Sequence, residues 1–263
     1  MERKMSENLP QIQYLYKYCR LNRLPYSKEN INIHTKSIIT DNKLYFSSPA
    51  DFNDPYDCNI PDGTDFPDEN IRILILKKGK TSVKLIEKIQ RNPTLLPQYL
   101  KQYIKDSGIC CFSKLYDSIL MWAHYANSHT GICLKFDTTK DSDFFKKPLY
   151  ANYSEKPPFF DYHGKIQKEI AKFVVTKFKT WQYEEEVRIF KNATEISNNN
   201  KNGKRIFQFK SEALQEIIFG VRTTEKDMEK IEKLCKNSGK SHVKFSKMKL
   251  KEGNLYGLEK VDL

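Results

Sequence analysis

The sequence predicts an α+β fold, a single domain in which a mixed or split β-sheet is flanked by helices. Three observations carry this expectation. Short apolar or ring-rich segments with strand character recur from Tyr14 to the C-terminus and are interspersed with helical stretches. Hydrophobic residues make up 39% of the chain and aromatic residues 13%, enough for a sizeable core rich in rings. Across 263 residues there is no internal repeat and no evident linker, so one domain with insertions is favoured over two.

The elements follow in order. Tyr14-Leu-Tyr-Lys-Tyr-Cys19 alternates rings with other residues and reads as a first strand. A short helix is expected over Glu29 to Ile39. Lys43 to Ser47 is a second strand, stopped at Ser48-Pro49, and Asp51-Phe-Asn-Asp-Pro-Tyr-Asp57 has turn chemistry. Two helices, Glu69 to Gln90 and Thr94 to Lys105, are broken apart by Pro93 and form a helical insertion at about 69–106. Ser107 to Ser113 is a buried strand, and Asp117 to Ala126 a helix capped by Asp117 or Ser118. Strands are expected at Gly131–Phe136, Pro148–Tyr153 and Trp181–Lys191, with a helix over Gly164–Lys179. Asn198 to Gly203 reads as a turn between hairpin strands. Leu214 to Gly220 is apolar, Thr224 to Asn237 is amphipathic, and two short strands close the chain.

The net charge of +12 is compatible with a polyanionic partner such as nucleic acid, and equally with a lysine-rich surface of no special role. Against this trend, Asp51 to Asn70 holds seven acidic residues and no Lys or Arg. No apolar run is long enough to span a bilayer, and Met1 to Pro10 lacks a signal-peptide core, so a cytoplasmic protein with no membrane association is expected. The six cysteines include no C-x-x-C pair and read as small buried hydrophobes. Walker, G-x-G-x-x-G, G-x-S-x-G and H-E-x-x-H motifs are all absent, which disfavours kinase, Rossmann dehydrogenase, α/β-hydrolase and zincin chemistry.

Three stretches carry chemistry. Read as a strand, Trp181-Gln-Tyr-Glu-Glu-Glu-Val-Arg-Ile-Phe190 places Glu184, Glu186 and Arg188 on one face, about 7 Å between successive same-side positions. Two carboxylates and a guanidinium in a row are costly to bury unless they are paired or functional. The alternative is an edge strand with a solvated charged face. In Leu120-Met-Trp-Ala-His-Tyr-Ala126 and Asn127-Ser-His-Thr-Gly-Ile-Cys-Leu134, His124 and His129 are too few and wrongly spaced for a zinc site. His124 and Tyr125 are candidates for substrate contact or general base beside the plainer reading as structural side chains. Helix and strand patterns turn Trp122, Tyr125, Ile132 and Leu134 toward the core or a cleft wall. In Tyr45 to Asp57, hydroxyls and carboxylates gather at a strand end around the Asn53-Asp54-Pro55 turn.

These stretches, together with Tyr16-Lys-Tyr18 and Ile217-Ile-Phe-Gly220, resemble the bacterial family catalogued as domain of unknown function 2971. The resemblance runs from about residue 14 to 222 and is most specific in Met-Trp-Ala-His-Tyr-Ala and His-Thr-Gly-Ile-Cys-Leu. It implies an accessory or defence gene of bacteria and their mobile elements, and no activity. At the level of fold the chain is also similar to ADP-ribosyltransferases, which carry a basic or His residue on a first strand, a Ser or Tyr on a second, and a glutamate on a later one. Lys17 or Arg20, then Ser47-Ser48, then Glu184 or Glu186 occur here in that order. This likeness implies NAD as co-substrate, held by Lys17, Arg20, Ser47, Ser48 and Asn53. It further implies a catalytic group of Glu186, Glu184, Arg188, His124 and Tyr125, and a nucleic-acid or protein acceptor. Two other readings stand beside it: a metal-dependent nuclease with Asp54, Asp57, Glu184 and Glu186 as oxygen ligands, and a non-catalytic sensor or binding module in which the motifs are structural. The three are expected to differ in a cleft beside Glu186, a cluster of carboxylates, or a charged row open to solvent.

Overall fold

The computed structural model describes residues 12–21, 31–60, 91–92, 95–159, 166–199, 205–253 and 255–263. Its twelve described strands are β1 (Tyr14–Cys19), β2 (Lys43–Tyr45), β3 (Gly108–Ser113), β4 (Ile132–Asp137), β5 (Leu149–Tyr150), β6 (Asn152–Ser154), β7 (Thr176–Phe178), β8 (Glu186–Lys191), β9 (Ile206–Gln208), β10 (Leu214–Phe219), β11 (Lys244–Leu250) and β12 (Leu258–Asp262). The described helices are α1 (Ile33–Asp41), α2 (Leu95–Asp106), α3 (Ile119–Tyr125), α4 (Ile166–Val175), α5 (Ala193–Asn198) and α6 (Glu225–Asn237). The fold is α+β. Eight strands form a mixed sheet in the order β12-β11-β10-β4-β1-β3-β8-β5, and two-stranded sheets β2-β9 and β6-β7 stand beside it.

Within the large sheet only β10 and β11 run parallel, and α6 supplies the crossover that such a pair needs. Alternation sends Leu15, Cys110, Phe112, Leu134, Phe136, Val187, Ile189 and Ile217 to one face, where Ile38 and Ile39 of α1 and Ile231 and Cys235 of α6 cover them. The opposite face is packed in two parts. Over β1, β4, β10 and β11, Tyr16, Tyr18, Cys133, Ile218 and Met248 meet Met121 and Trp122 of α3. Over β3 and β8, Ile109, Cys111 and Phe190 meet Leu100 and Ile104 of α2 and Ile170, Phe173 and Val174 of α4. Trp122, Ile132 and Leu134 are fully buried and Tyr125 half-buried, as their patterns predict. All six cysteines are free, and every one except half-buried Cys111 lies in the interior. Among the described residues no helix is long and apolar enough to cross a membrane.

The largest correction concerns the expected strand over Trp181–Lys191. Residues Lys179–Glu184 form a 3₁₀ helix instead, closed by Glu185 in a left-handed conformation (φ 43°), and the strand begins only at Glu186. Glu184 is therefore not on a strand. The helix expected to reach Lys179 ends at Val175, because the β-branched run Val174-Val175-Thr176 favours extended backbone and passes into β7. Helix α1 starts later than expected because the Asn32 side chain accepts hydrogen bonds from the His34 and Thr35 amides. Of the turn expected at Asn198–Gly203, residues 200–203 lie outside the described residues, and the described flanks are not paired with each other as a hairpin. Asn192 and Glu195 close a reciprocal capping box on α5, and β9 pairs with β2. The helix expected at Glu69–Gln90 lies outside the described residues; its companion is present as α2.

The His-Thr-Gly motif has a packing role. Asn127, Ser128 and His129 take three successive left-handed conformations (φ 50°, 54° and 70°). They bring the His129 carbonyl within 2.2 Å of where a Cβ on Gly220 would lie, so only glycine fits there. Gly131 is equally confined, with the Cys19 carbonyl 2.3 Å from its absent Cβ.

Candidate functional site

Glu186 and Arg188, two residues apart on β8, point to the face that α4 covers, and β3 sets Ser113 and Cys111 opposite them. Arg188 is entirely buried. Its partner comes from the Asn53–Asp57 turn: Asp54 accepts the Tyr56 amide through its side chain and the Asp57 amide through its carbonyl. This aims the Asp57 carboxylate at the guanidinium, which grips it with two hydrogen bonds of 2.8 and 2.7 Å. Arg188 also donates to Glu186 Oε2 at 2.7 Å and to the Val174 carbonyl at 2.6 Å, near the C-terminal end of α4.

Lys177 enters from β7, which follows α4 directly. Its ammonium donates to Glu184 and, at 3.2 Å, to Glu186, and lies 3.7 Å from Asp57. Glu184 ends the 3₁₀ helix, where its carbonyl accepts from the Ser113 hydroxyl at 2.6 Å and its carboxylate from the Tyr125 hydroxyl at 2.6 Å. The Tyr153 hydroxyl accepts the Glu186 amide at 2.8 Å. Five charged side chains thus meet below the surface, drawn from four separate segments.

Three carboxylates (Asp57, Glu184, Glu186) face two cations (Lys177, Arg188), so the fully ionised cluster carries one excess negative charge. The carboxyls respond differently. Burial would raise Glu186, but Arg188 and Lys177 outweigh it and hold the group at about 2. Glu184 moves the other way: burial pushes its carboxyl up and Glu186 adds to this, against the pull of Lys177 and Tyr125. Burial opposes the charge on Lys177, yet Glu186, Glu184 and Asp57 raise it overall. Of these two carboxyls, Glu184 is therefore the one that takes up a proton first as pH falls. Rings surround that end of the cluster: Lys177 sits 5.1 Å over Trp181, Trp181 and Tyr183 lie 6.1 Å apart, and both rings are half-buried.

Of the residues singled out from sequence, Glu184, Glu186, Arg188 and Tyr125 come together, and Asn53, exposed on the Asn53–Asp57 turn, is close enough to Tyr125 to influence its hydroxyl. His124 is exposed, its ring 6.1 Å from Tyr183, and makes no contact with the cluster's charges. Lys17 points to the opposite sheet face, over Phe112, and donates to the Cys111 carbonyl. Arg20 is exposed, Ser47 bridges to Ile109 at the far end of β3, and Ser48 caps the turn Pro49–Asp51 and donates to the Lys105 carbonyl. Lys17, Arg20, Ser47 and Ser48 therefore build no cradle for a pyrophosphate. Among the described residues a cavity of about 750 Å³ lies at the other end of β8 from Glu186, against Thr194, Ser197 and Arg205. Metal ligation fits poorly, because Lys177 and Arg188 already occupy the space among the carboxylates. Among the described residues no three His, Cys, Asp or Glu side chains are arranged to hold an ion.

Lys177 and Tyr153 escaped sequence reasoning. The signal for Lys177 was the β-branched run before it, which moves it from a helix surface to a strand interior. Tyr153 gave no signal, since its role depends on a register between distant segments.

No curated protein and no solved structure matches the chain. Residues 121–189 match the family model described as a protein of unknown function, DUF2971, a span that holds Tyr125, Lys177, Glu184, Glu186 and Arg188 but not Asp57.

Proposed function

We propose that the protein is an enzyme of ADP-ribosyltransferase type in which Glu184, not Glu186, is the reacting carboxylate. The supporting observation is the buried ion cluster that holds the Glu184 carboxylate between Lys177 and Tyr125, with the Trp181 and Tyr183 rings at the same end. Breaking the nicotinamide–ribose bond of NAD leaves the electron pair on the nicotinamide nitrogen and develops positive charge on the ribose. A preorganised carboxylate in a low-dielectric surrounding stabilises that charge most. The half-buried rings suit the flat nicotinamide, and the upward-shifted Glu184 carboxyl is suited to take the proton of an incoming hydroxyl or amine. Lys177 and Tyr125 orient Glu184, while Asp57, Glu186 and Arg188 hold Lys177 in place. The pyrophosphate is left to surface groups outside the predicted set.

Purified protein incubated with NAD labelled in the adenylate moiety and mixed cellular nucleic acid and protein should release nicotinamide and label an acceptor. Glu184→Gln should remain folded and lose both. No nicotinamide release by the wild-type protein with any acceptor fraction would overturn the proposal and leave the cluster a structural keystone.

A further inference from the structure

The same sheet face carries a second charged group that the proposed chemistry does not use. Glu216 on β10 is buried beneath it, accepting from the Ser246 hydroxyl at 2.7 Å and Lys260 Nζ at 2.6 Å, with Lys135 Nζ at 3.7 Å. Both ammonium groups lie over tyrosine rings. Lys135 is 4.1 Å from the centroid of Tyr14 and Lys260 is 5.5 Å from that of Tyr116, while the Tyr16 ring, 5.3 Å from Tyr116, forms the floor. Within 4 Å two lysines face the single carboxylate of Glu216, the reverse of the Glu184 cluster, and Asp137, paired with Tyr14 across the ladder, adds a second carboxylate at the edge of the patch. The Lys135 and Lys260 side chains remain 22% and 25% exposed, and Tyr14 and Tyr116 are half-buried, so the patch is reachable from solvent.

We propose that this patch binds single-stranded nucleic acid, the Lys135 and Lys260 ammonium groups leaving the ring faces of Tyr14 and Tyr116 to meet phosphates while bases stack in their place. Each part has a physical reason. Tyrosine faces accept any base by stacking, and the ammonium groups displaced from them meet the backbone. The protein's net charge of +12 adds a long-range attraction for a polyanion. A duplex satisfies the charge term but hides its base faces, so single strands are the preferred form. The inference does not depend on the chemistry assigned to Glu184.

The test is fluorescence anisotropy with a labelled oligothymidine of about twelve residues, a length matched to a short stacking platform. Wild-type protein should bind it, weaken as salt rises, and bind a duplex of equal length less tightly. Tyr14→Leu with Tyr116→Leu should weaken binding about tenfold or more, as expected for two lost stacking partners. Tyr14→Phe with Tyr116→Phe keeps the rings and should keep the affinity. Lys226→Gln, Lys233→Gln and Lys236→Gln together, on exposed α6, remove three charges and should cost less than the double leucine change. Should the double leucine variant not fold, Tyr116→Leu alone, in the loop after β3, makes the same comparison. Absent wild-type binding, equal binding of the duplex, or an unchanged leucine variant would each overturn the proposal. So would an equal loss in the phenylalanine or α6 variants, or full displacement by an equal concentration of free mononucleotide.

Discussion

At Glu184 and Glu186, two carboxyls two residues apart are driven in opposite directions by their neighbours. Glu186 is gripped by Arg188 and Lys177, so neutralising it removes a partner from two buried cations. Glu186→Gln should lower stability by about 3–5 kcal/mol, the usual result of stranding a buried charge, read as a fall in the urea midpoint. Glu184→Gln removes the surplus charge and leaves Asp57 and Glu186 against Lys177 and Arg188, a balanced set. Its melting temperature should therefore equal or exceed that of the wild type. Activity would divide the roles further. If Glu184 reacts, Tyr125→Phe, which removes the 2.6 Å hydrogen bond to it, should reduce turnover while costing only about 1.5–3 kcal/mol of stability, typical of a hydrogen bond to a charged group.

At the level of elements, much of the architecture was written in local pattern. The alternation of Tyr14–Cys19 and the apolar run of Ser107–Ser113 mark central strands, and Ser118 stands where a helix cap is needed. The candidate site was half-legible for a definite reason. Alternation over Glu186–Lys191 correctly put Glu186 and Arg188 on one face, but the same rule carried back to Trp181 failed, because Glu185 turns the chain through a left-handed residue that nothing in its side chain requires. Lys177 joined the site only because the chain leaves α4 earlier than helical periodicity suggests. Lys17, though correctly placed on β1, faces the other way, since its strand neighbours Tyr16 and Tyr18 take the face that carries the charges. Gly131 of the His-Thr-Gly motif and Gly220, against which that motif packs, are better guides than the histidines. Gly220→Ala should destabilise by about 1–3 kcal/mol, the range for overpacking a closed site, because the new Cβ meets the His129 carbonyl. His124→Ala, at an exposed position, should change the denaturation midpoint little.

For the whole molecule, one sheet face bears two charge clusters, and they make stability depend on pH in a way that identifies them. The Glu186, Glu216 and Asp137 carboxyls are all lower in the folded state than their ordinary values, Glu186 reaching about 2 from 4.5. Burial resists each of these shifts. It is overcome at Glu186 by Arg188 and Lys177, at Glu216 by Lys260 and Ser246, and at Asp137 chiefly by hydrogen bonds from Thr139. Groups of this kind contribute stability that is complete above the ordinary carboxyl value and is lost as pH falls through the folded value. Glu184, raised by burial, has the opposite sign. It contributes stability below its ordinary value and loses that contribution as pH rises through its folded value. The wild-type free energy of unfolding should therefore fall on acidification from about pH 4.5 toward 2, and should also decline from its maximum on the alkaline side of 4.5 as Glu184 ionises. Glu184→Gln should abolish that second decline without altering the acid limb, whereas Glu186→Gln should flatten the acid limb and lower the plateau. Urea titrations at closely spaced pH values measure both limbs in the same preparation. An alkaline-side decline that persists unchanged in Glu184→Gln would mean that Glu184 is not the carboxyl raised by burial, and would remove the basis for assigning it the proton-accepting position.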